Sequence, residues 1–414
     1  MSINELIKFK SLPSFCTSNF LVLKILIKFC KKKKLPLLIE TTSNQVNQFG
    51  GYTNLTPKKF IKKISLDLKK EKFNRKLFFY GGDHLGPLPW QKFGQLKSLE
   101  RSKKLIKSYI DSGAQKIHID TSIKLRHDKN FSKKEILKRT QNLFNNLNLD
   151  KINNIFFVFG TEVPFAGGGI KKNQSAAKFS AKSAINESDF VKKLLLKKFN
   201  YNKYFALVID TNMEFFDRKI IKPNLKNLTE IVKYSKKKNF YFEAHSTDYQ
   251  SLNTLKKLVK NNFKFLKVGP ELTHYLLKSL FLMEQFENEH ILKKNRSFFK
   301  QKLINEVLSN KTHWEKYYNE KDSTVVEKIL KGKLDRARYY LNTTKVNESI
   351  KLLEKNINFT KKARITHFLN SKKIHYELDD IKKYKLNNFE FINFILLKDT
   401  LFKYFKACNF KLTN

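Results

Sequence analysis

Short apolar runs alternate with longer amphipathic segments over about the first 285 residues of the chain. Each run is of strand length, and each following segment places Leu, Ile and Phe at helical spacing opposite lysine-rich positions. This alternation is typical of parallel strands joined by crossover helices, and eight such units are enough to close a (β/α)₈ barrel. We therefore predict the α/β class and a TIM barrel, with strands over 12–16, 35–40, 76–80, 116–120, 154–160, 204–209, 240–243 and 263–268.

The predicted crossover helices are indicated by the residues at their termini. The segment 57–70 follows Thr56, a suitable helix cap, and begins with Pro57, which is favourable in a first turn. A second helix is expected over 96–112, where a glycine follows the last residue. A third is expected over 223–238, again with a proline in its first turn.

The alternation of strands and helices ends near residue 287. Beyond it, the segments 298–308, 325–340 and 346–356 have helical spacing, and no linker rich in proline, glycine or serine precedes them. We predict one barrel domain over 1–285 and, over 286–414, an α-helical extension packed on the barrel.

The chain shows no sequence feature of a membrane or secreted protein. Its most apolar N-terminal stretch, 20–29, contains Lys24 and Lys28, is about half as long as a membrane span needs, and is followed by a lysine cluster. We interpret it as a barrel helix. The three cysteines have no CxxC spacing, so neither a disulfide framework nor a cysteine-rich zinc site is indicated. We expect a cytoplasmic protein with no membrane partner.

Composition changes this picture little, although the formal net charge of +46 is high. Such a charge ordinarily indicates nucleic acid or another polyanion as a partner. Only nine of the 83 basic residues are Arg, which dedicated phosphate-binding sites favour, and lysine is spread along every segment. The excess of Lys, Asn, Ile and Phe matches A/T-rich codons, so a biased genome explains the charge at least as well as function does. We expect no specific nucleic-acid partner.

Polar side chains follow six of the predicted strands, at the ends where TIM barrels place their reactive groups. Residues two apart on a strand share a face, so His118 lies beside Asp120 and Glu243 beside His245. Imidazole and carboxylate groups that converge on the barrel mouth suit a divalent metal, which in sugar chemistry polarises a carbonyl while a carboxylate moves the proton. The strand-end residues are Asn44, Gln45, Gln48, Asp83, His84, His118, Asp120, Glu162, Glu243, His245, Ser246, Thr247 and Lys267.

Each of these candidates has a structural alternative. His118, taken alone on an apolar strand, is more often a hydrogen-bonded core histidine than a ligand. Asp83 could form a turn between glycines, and Glu243 could form a buried ion pair with Lys267. The glycines at 167–169 could cradle a phosphate, although a plain loop is the more common use of such a run. Recurrence at the same place on several strands favours the functional interpretation.

The strand ends also carry longer motifs. They are IETTSNQVNQFGGY at 39–52, GGDHLGP at 81–87, KIHIDTS at 116–122, GTEVP at 160–164, EAHSTDYQ at 243–250 and LKVGP at 266–270. With DRARYY at 335–340 in the extension, they cover nearly the whole chain, in order. In these motifs the sequence resembles the Z-type (GatZ/KbaZ) subunit family of tagatose-1,6-bisphosphate aldolase.

The resemblance implies a class II aldolase-like barrel in galactitol, N-acetylgalactosamine or tagatose catabolism. It implies an accessory, usually non-catalytic subunit that supports the activity and stability of a separate catalytic class II aldolase subunit. The alternative is an autonomous metal-dependent ketose-phosphate epimerase or aldolase, which some relatives resemble. The implied partners are the catalytic subunit and a phosphorylated ketose, and a homo-oligomer stays an open alternative.

Class II aldolases pair an Asp with a metal-binding His at the end of one strand, and the resemblance therefore implies roles for single residues. Asp83 is the expected proton shuttle. The full set of expected catalytic residues is Asp83, Glu243 and Asp120. The expected ligands of zinc or a similar divalent metal are His84, His245 and Glu162, with Asp120 as the alternative to Glu162. The residues expected to line the sugar or phosphate site are Asn44, Gln45, Gln48, Ser246, Thr247 and Lys267.

The sequence departs from the family pattern at three places. The region 208–215 lacks the usual Gln-Pro-Gly and keeps only Glu214 and Phe215. The loop after Pro164 has three glycines where the family has a second proline and an acidic residue, and Phe20 occupies a common proline position. These changes leave the substrate specificity open, whereas the candidate metal and acid–base residues are retained.

Overall fold

The computed structural model of the protein describes residues 2–128, 131–161, 179–318 and 322–412. Its barrel strands are β1 (Leu12–Cys16), β2 (Leu37–Thr42), β3 (Phe78–Leu85), β4 (Lys116–Asp120), β5 (Phe156–Gly160), β6 (Phe205–Val208), β9 (Tyr241–Ala244) and β10 (Phe263–Val268). All pair in parallel in this order, and β10 pairs back to β1, so the barrel is closed. A short antiparallel pair, β7 (Glu214–Phe215) with β8 (Ile220–Ile221), interrupts the β6–β9 connection. The predicted TIM barrel is confirmed.

Helices surround the barrel and form its C-terminal extension. They are α1 (Ile3–Phe9), α2 (Phe20–Lys33), α3 (Pro57–Lys70), α4 (Gln95–Asp111), α5 (Lys133–Asn145), α6 (Leu149–Ile152), α7 (Ala181–Phe199), α8 (Thr229–Lys238), α9 (Leu252–Lys260), α10 (Pro270–His290), α11 (Phe299–Ser309), α12 (Asp322–Lys331), α13 (Thr344–Phe359), α14 (Lys362–Ser371), α15 (Asp379–Tyr384) and α16 (Asn388–Ala407). Across the described ranges, no helix combines the length and the apolarity that a membrane crossing requires.

One helix and three strands have the bounds that the sequence predicts, and side-chain caps are present at the N-termini of α2 and α3. Helix α3 has the predicted bounds, with the Thr56 side chain accepting a hydrogen bond from the Lys59 backbone N–H and proline in the first turn. The apolar stretch from residue 20 forms α2, and the Asn19 side chain accepts the N–H groups of Leu21 and Val22. The strands predicted over 12–16, 116–120 and 263–268 also have the predicted bounds.

Two predicted helices have wrong bounds because the chain makes tertiary hydrogen bonds there. The helix predicted from residue 223 begins only at Thr229, since the Asn224 N–H donates to the Thr211 carbonyl 2.8 Å away. The helix predicted over 325–340 ends at Lys331, and the Lys333 N–H donates to the carbonyl of Asp217 at 3.1 Å. A separate 3₁₀ turn, Arg336–Tyr339, follows.

The lower end of the barrel, where the strands begin, is closed by apolar side chains. Leu12, Phe79, Phe156 and Phe265 belong to one buried cluster in which Leu38, Val158, Ala206 and Val208 also take part. Helix α1 covers this cluster with Ile3, Leu6 and Ile7. Because burial of these side chains seals that end, access to the polar interior comes from the carboxyl ends of the strands.

The C-terminal helices pack on the barrel and contact the loops at its mouth. The Phe405 ring of α16 packs against the Phe15 ring of β1, with the ring centroids 5.8 Å apart and the ring planes tilted by 49°. The Tyr404 hydroxyl donates to the Thr247 carbonyl at 2.8 Å, just after β9. The predicted domain boundary at residue 285 falls inside α10, and the division into 1–285 and 286–414 stays a prediction.

His274 in α10 gives the fold a testable pH dependence. Burial, with the positive charges of Lys278 and Lys333, lowers the pKa of His274 to about 4, whereas an unfolded histidine titrates near ~6.5. Between these values the unfolded chain binds a proton that the folded chain does not, so stability falls as the pH is lowered through this window.

We expect His274→Gln to remove this contribution, so that the variant loses about 2 kcal/mol less stability than the wild type between pH 7 and pH 4.5. Urea unfolding at both pH values measures the difference. His367→Gln, at an exposed position of α14, is the matched control. Equal pH dependence in the wild type and His274→Gln would contradict the prediction.

Candidate functional site

The side chains that point into the barrel are apolar where the strands begin and charged toward the carboxyl ends of the strands. Strand β4 contributes Lys116, His118 and Asp120 to one face. The two-residue period likewise places Glu243 below His245 at the end of β9, and Lys267 lies near the end of β10. These side chains meet in two layers, an ionic layer in the middle of the barrel and a histidine layer at its mouth.

The ionic layer consists of two carboxylates held between two lysines. The Nζ of Lys116 lies 2.5 Å from Glu40 Oε1 and 2.5 Å from Glu243 Oε2, and all three side chains are 0% exposed. The Nζ of Lys267 lies 2.9 Å from Glu40 Oε2 and 3.5 Å from Glu243 Oε1, and it also pairs with Asp83. The buried pair between Glu243 and Lys267, raised above as an alternative, is therefore present.

Charge balance keeps Lys267 and Glu243 ionised although both side chains are buried. Burial alone would lower the pKa of Lys267, but the carboxylates of Asp83, Glu243 and Glu40 hold that pKa well above its usual range. Burial would raise the pKa of Glu243, and the charges of Lys116 and Lys267 hold it well below its usual range instead. Buried charges of this kind stay charged only while every partner is present.

The histidine layer pairs each imidazole with one carboxylate. His84 Nδ1 lies 2.7 Å from Asp120 Oδ2, and His118 Nδ1 lies 2.9 Å from Asp83 Oδ1. His245 Nε2 lies 2.9 Å from Glu243 Oε1. Each carboxylate fixes the ring orientation of its histidine, the arrangement that histidine ligands of metals use. These contacts use one ring nitrogen of each histidine.

Donor atoms of the three histidines and of one carboxylate lie close together. One donor atom each from Asp83, His84, His118 and His245 lies within 4.8 Å of the others, and all four residues are buried. The Nε2 of His118 is buried with no hydrogen-bond partner, although buried ring nitrogens are ordinarily satisfied. Burial lowers the pKa of His245 to about 3, so this imidazole is neutral, as a metal ligand must be. Three imidazoles and one carboxylate fit a divalent ion such as zinc.

A distortion of β3 brings His84 to this place. Strand pairing with β4 shifts between Gly82 and Leu85, and His84 takes a left-handed backbone conformation with a φ of 48°. Asp83 and His84 thus lie inside β3, and the alternative that Asp83 forms a turn is wrong. Gly86 makes the approach to β4 feasible, because a Cβ there would lie 1.6 Å from the Asp120 carbonyl oxygen.

A cavity opens above the histidines at the barrel mouth. Its wall includes Asn44, Gln45, Ser246 and Lys267, four of the six residues predicted to bind sugar or phosphate. Gln48 and Thr247, which the sequence also places there, do not line the cavity. The Gln48 amide donates to the Arg101 carbonyl at 3.0 Å, and the Thr247 hydroxyl faces the Lys267 carbonyl and the Tyr404 hydroxyl.

The structure brings together five of the six predicted catalytic and metal-binding residues. Asp83, Asp120 and Glu243 each contact a histidine, and His84 and His245 belong to the four-residue cluster. The sixth residue, Glu162, lies outside the described residues. The catalytic and ligand roles themselves stay predictions.

Sequence reasoning assigned no role to three contributors. His118 was a strand-end candidate because of its two-residue spacing from Asp120, but an ordinary core histidine was the more common interpretation of it taken alone. Lys116 shares that same face and received no role. Arg338, from the DRARYY motif of the extension, also lines the cavity, and nothing in the local sequence indicates that the extension returns to the barrel mouth.

The chain is similar in sequence to a family of carbohydrate-metabolising subunits. The family model described as D-tagatose-1,6-bisphosphate aldolase subunit GatZ/KbaZ-like matches residues 4–409. The D-tagatose-1,6-bisphosphate aldolase subunit GatZ of Escherichia coli O6:K15:H31 is 31% identical over 357 residues, covering 83% of this chain and 84% of that protein. The subunit of the same name from Salmonella newport is 32% identical over 360 residues, with the same coverage of both chains.

A solved structure shows the same fold. It is described as a probable tagatose 6 phosphate kinase from Sinorhizobium meliloti 1021, and it matches with a TM-score of 0.82 at 24% identity. The match covers 96% of this chain and 100% of that one, so the similarity of fold extends to the C-terminal helices. Because the family model spans barrel and extension alike, the chain belongs to the GatZ/KbaZ-like family of D-tagatose-1,6-bisphosphate aldolase subunits.

Proposed function

We propose that this chain is an accessory subunit of a class II tagatose-1,6-bisphosphate aldolase. In this role it associates with a separate catalytic subunit and supports that subunit's activity and stability. The observation that carries the proposal is the family match over residues 4–409, together with relatives that are named as subunits of this aldolase. We place the complex in the cytoplasm, in galactitol, N-acetylgalactosamine or tagatose catabolism.

We further propose that the barrel mouth of the accessory subunit binds a divalent metal, zinc or a similar ion. The ligands are His84, His118 and His245, because three protein ligands with one open position are typical of catalytic zinc sites. When bound, such an ion supplies a Lewis acid that polarises a ketose carbonyl. His118 takes the ligand position for which the sequence suggested Glu162 or Asp120.

The carboxylates divide into two roles in this proposal. Asp83 lies among the ligands, with Oδ2 at 3.7 Å from His84 Nε2, and its carboxylate accepts the proton that moves during carbonyl chemistry. Asp120 and Glu243 are positioning residues, because their oxygens are engaged by His84 and His245. Asn44, Gln45, Ser246 and Lys267 line the cavity in which a phosphorylated ketose would bind.

A reconstitution assay tests the accessory role. A catalytic class II aldolase subunit is assayed for cleavage of D-tagatose 1,6-bisphosphate with and without an equimolar amount of this chain. We expect the chain alone to release no triose phosphate, and we expect the mixture to exceed the catalytic subunit alone in activity and in half-life. Hen lysozyme, another strongly basic protein, is the control for non-specific stimulation by positive charge.

The same assay distinguishes the autonomous alternative. Metal-dependent cleavage or epimerisation of a ketose phosphate by the isolated chain would replace the accessory role with an enzymatic one. Stimulation that lysozyme reproduces would remove the accessory role as well.

A further inference from the structure

The C-terminal extension contributes a cation to the barrel mouth. Arg338, Tyr339 and Asn342 line the same cavity as Asp83 and His84. The first two residues belong to the 3₁₀ turn Arg336–Tyr339, which begins after Asp335 in a left-handed conformation. The role proposed above for the metal cluster makes no use of this turn.

The guanidinium of Arg338 is held in place by the extension itself. Its Nη1 donates to the carbonyls of Leu334 and Asp335 at 2.7 and 2.8 Å, and its Nη2 donates to the Tyr339 hydroxyl at 3.0 Å. These bonds use three of the five N–H groups of an arginine. The Nε–H and one N–H of Nη2 have no partner among the described residues. The side chain is 10% exposed, so these groups are oriented before any ligand arrives.

The charge of Arg338 is only weakly compensated. The nearest ion-pair partner in the described chain is Asp335, whose Oδ2 lies 3.9 Å from Nη1 and also accepts the Thr273 hydroxyl. Burial raises the pKa of Asp335 to about 7, so this carboxyl carries only part of a negative charge near neutral pH. A nearly buried guanidinium without a close carboxylate favours an anion in the space beside it.

The surroundings of Arg338 suit a polar anion more than an apolar group. The Tyr339 ring meets the Tyr52 ring at 4.8 Å between centroids, and the Gln45 amide and the Ser18 hydroxyl belong to residues of the same cavity wall. Hydroxyl and amide groups of this kind donate to phosphate oxygens. Asp248 also belongs to the cavity wall, and its Oδ1 accepts hydrogen bonds from the backbone N–H groups of Gly269 and Glu271 at 2.9 and 2.8 Å.

We propose that Arg338 binds the phosphate group of the ligand, in a cavity that is also lined by Asp83, His84 and His245 of the metal cluster. The ligand class is a phosphorylated ketose whose carbonyl lies at the cluster and whose phosphate lies against the extension. This assignment rests on the proposal that the cavity takes a phosphorylated ketose. It gives the extension a direct part in the site, because barrel and extension each hold one end of the same ligand.

Calorimetric titration of the full-length chain, loaded with zinc, tests the assignment. The probes are D-tagatose 6-phosphate, D-tagatose and inorganic phosphate. We expect Arg338→Met to weaken binding of D-tagatose 6-phosphate by at least about 10-fold, with binding of zinc and of D-tagatose unchanged. Arg338→Lys, which keeps the charge and loses the fork geometry, is expected to bind with intermediate affinity.

Arg364→Met is the matched control, because Arg364 is an exposed arginine on α14 and away from the cavity. Equal affinity of the wild type and Arg338→Met for D-tagatose 6-phosphate would overturn the role of Arg338 and leave the accessory function intact. If the wild type binds inorganic phosphate through Arg338 but no sugar phosphate, the ketose proposal fails and the anion site stands. If the wild type binds neither D-tagatose 6-phosphate nor inorganic phosphate, the phosphate-binding role of Arg338 and the ketose proposal are both overturned. If Arg338→Met does not fold, the affinity of Arg338→Lys for D-tagatose 6-phosphate, measured in the same titration, tests the role of Arg338.

Discussion

Replacing His118 with alanine is expected to lower the affinity of the chain for zinc by at least about 100-fold. The imidazole supplies a buried ring nitrogen with no hydrogen-bond partner, and His118 belongs to the group of four residues whose donor atoms lie within 4.8 Å of one another. Loss of a residue that merely orients a ligand typically costs 10- to 100-fold in metal affinity, so loss of the ligand itself costs more. Competition with a chromophoric chelator measures the constant.

His84→Ala carries the same expectation, since His84 is a member of the same cluster. His367→Ala removes an exposed histidine from α14 and is the matched control. Zinc affinity within a few-fold of the wild type in both His118→Ala and His84→Ala would show that the cluster is a hydrogen-bonded core feature. Asp120→Asn should give a smaller loss than either variant, because Asp120 would orient the ligand His84 without being a ligand itself.

Lys116→Met is expected to lower the free energy of unfolding by roughly 3–5 kcal/mol. The lysine lies 2.5 Å from one carboxylate oxygen of Glu40 and 2.5 Å from one of Glu243, and none of these three side chains is exposed. Its removal leaves two buried carboxylates with only Lys267 to balance them, and an uncompensated buried charge is strongly destabilising. Equilibrium unfolding in urea measures the loss.

Lys104→Met is the matched control, because Lys104 pairs with Glu100 at 2.7 Å on the surface of α4 and both side chains are more than half exposed. An exposed pair of this kind contributes at most about 0.5 kcal/mol. The double variant Lys116→Met with Glu243→Gln should recover part of the loss, since one of the two carboxylate charges is then gone. A Lys116→Met chain as stable as Lys104→Met would contradict the ionic layer described above.

Some residues of the site could be identified from the sequence, and others could not. Asp83, His84 and His245 follow predicted strands inside unusual motifs, and position alone identifies them as candidates. His118 has the same position but an apolar neighbourhood, so its local sequence fits a core histidine equally well. Lys116 reads as one more lysine in a chain with 83 basic residues, and only burial distinguishes it from the others.

The bounds of some strands were predicted correctly from the sequence, whereas those of others were not. The strands at 12–16, 116–120 and 263–268 agree residue by residue, because apolar runs with turn residues at both ends leave little choice of bounds. Strand β3 extends to Leu85, beyond the predicted residue 80, because a bulge lets Gly82, Asp83 and His84 continue the strand in spite of their polar and glycine character. The end of such a strand is decided by its pairing with a neighbouring strand, which cannot be predicted from the local sequence.

By itself, the sequence determined the barrel, the presence of helices beyond it, and the strand ends at which polar chemistry collects. Hydrophobic periodicity and the residues at helix termini are local properties, and they suffice for these conclusions. Only the tertiary structure decided that Asp120, Asp83 and Glu243 each orient one histidine, that Lys116 and Lys267 neutralise the layer below, and that Arg338 of the extension reaches the same cavity. The ion pair of Glu40 with Lys267 joins residues 227 positions apart, and closure of the barrel, not any local preference, brings such residues within hydrogen-bonding distance.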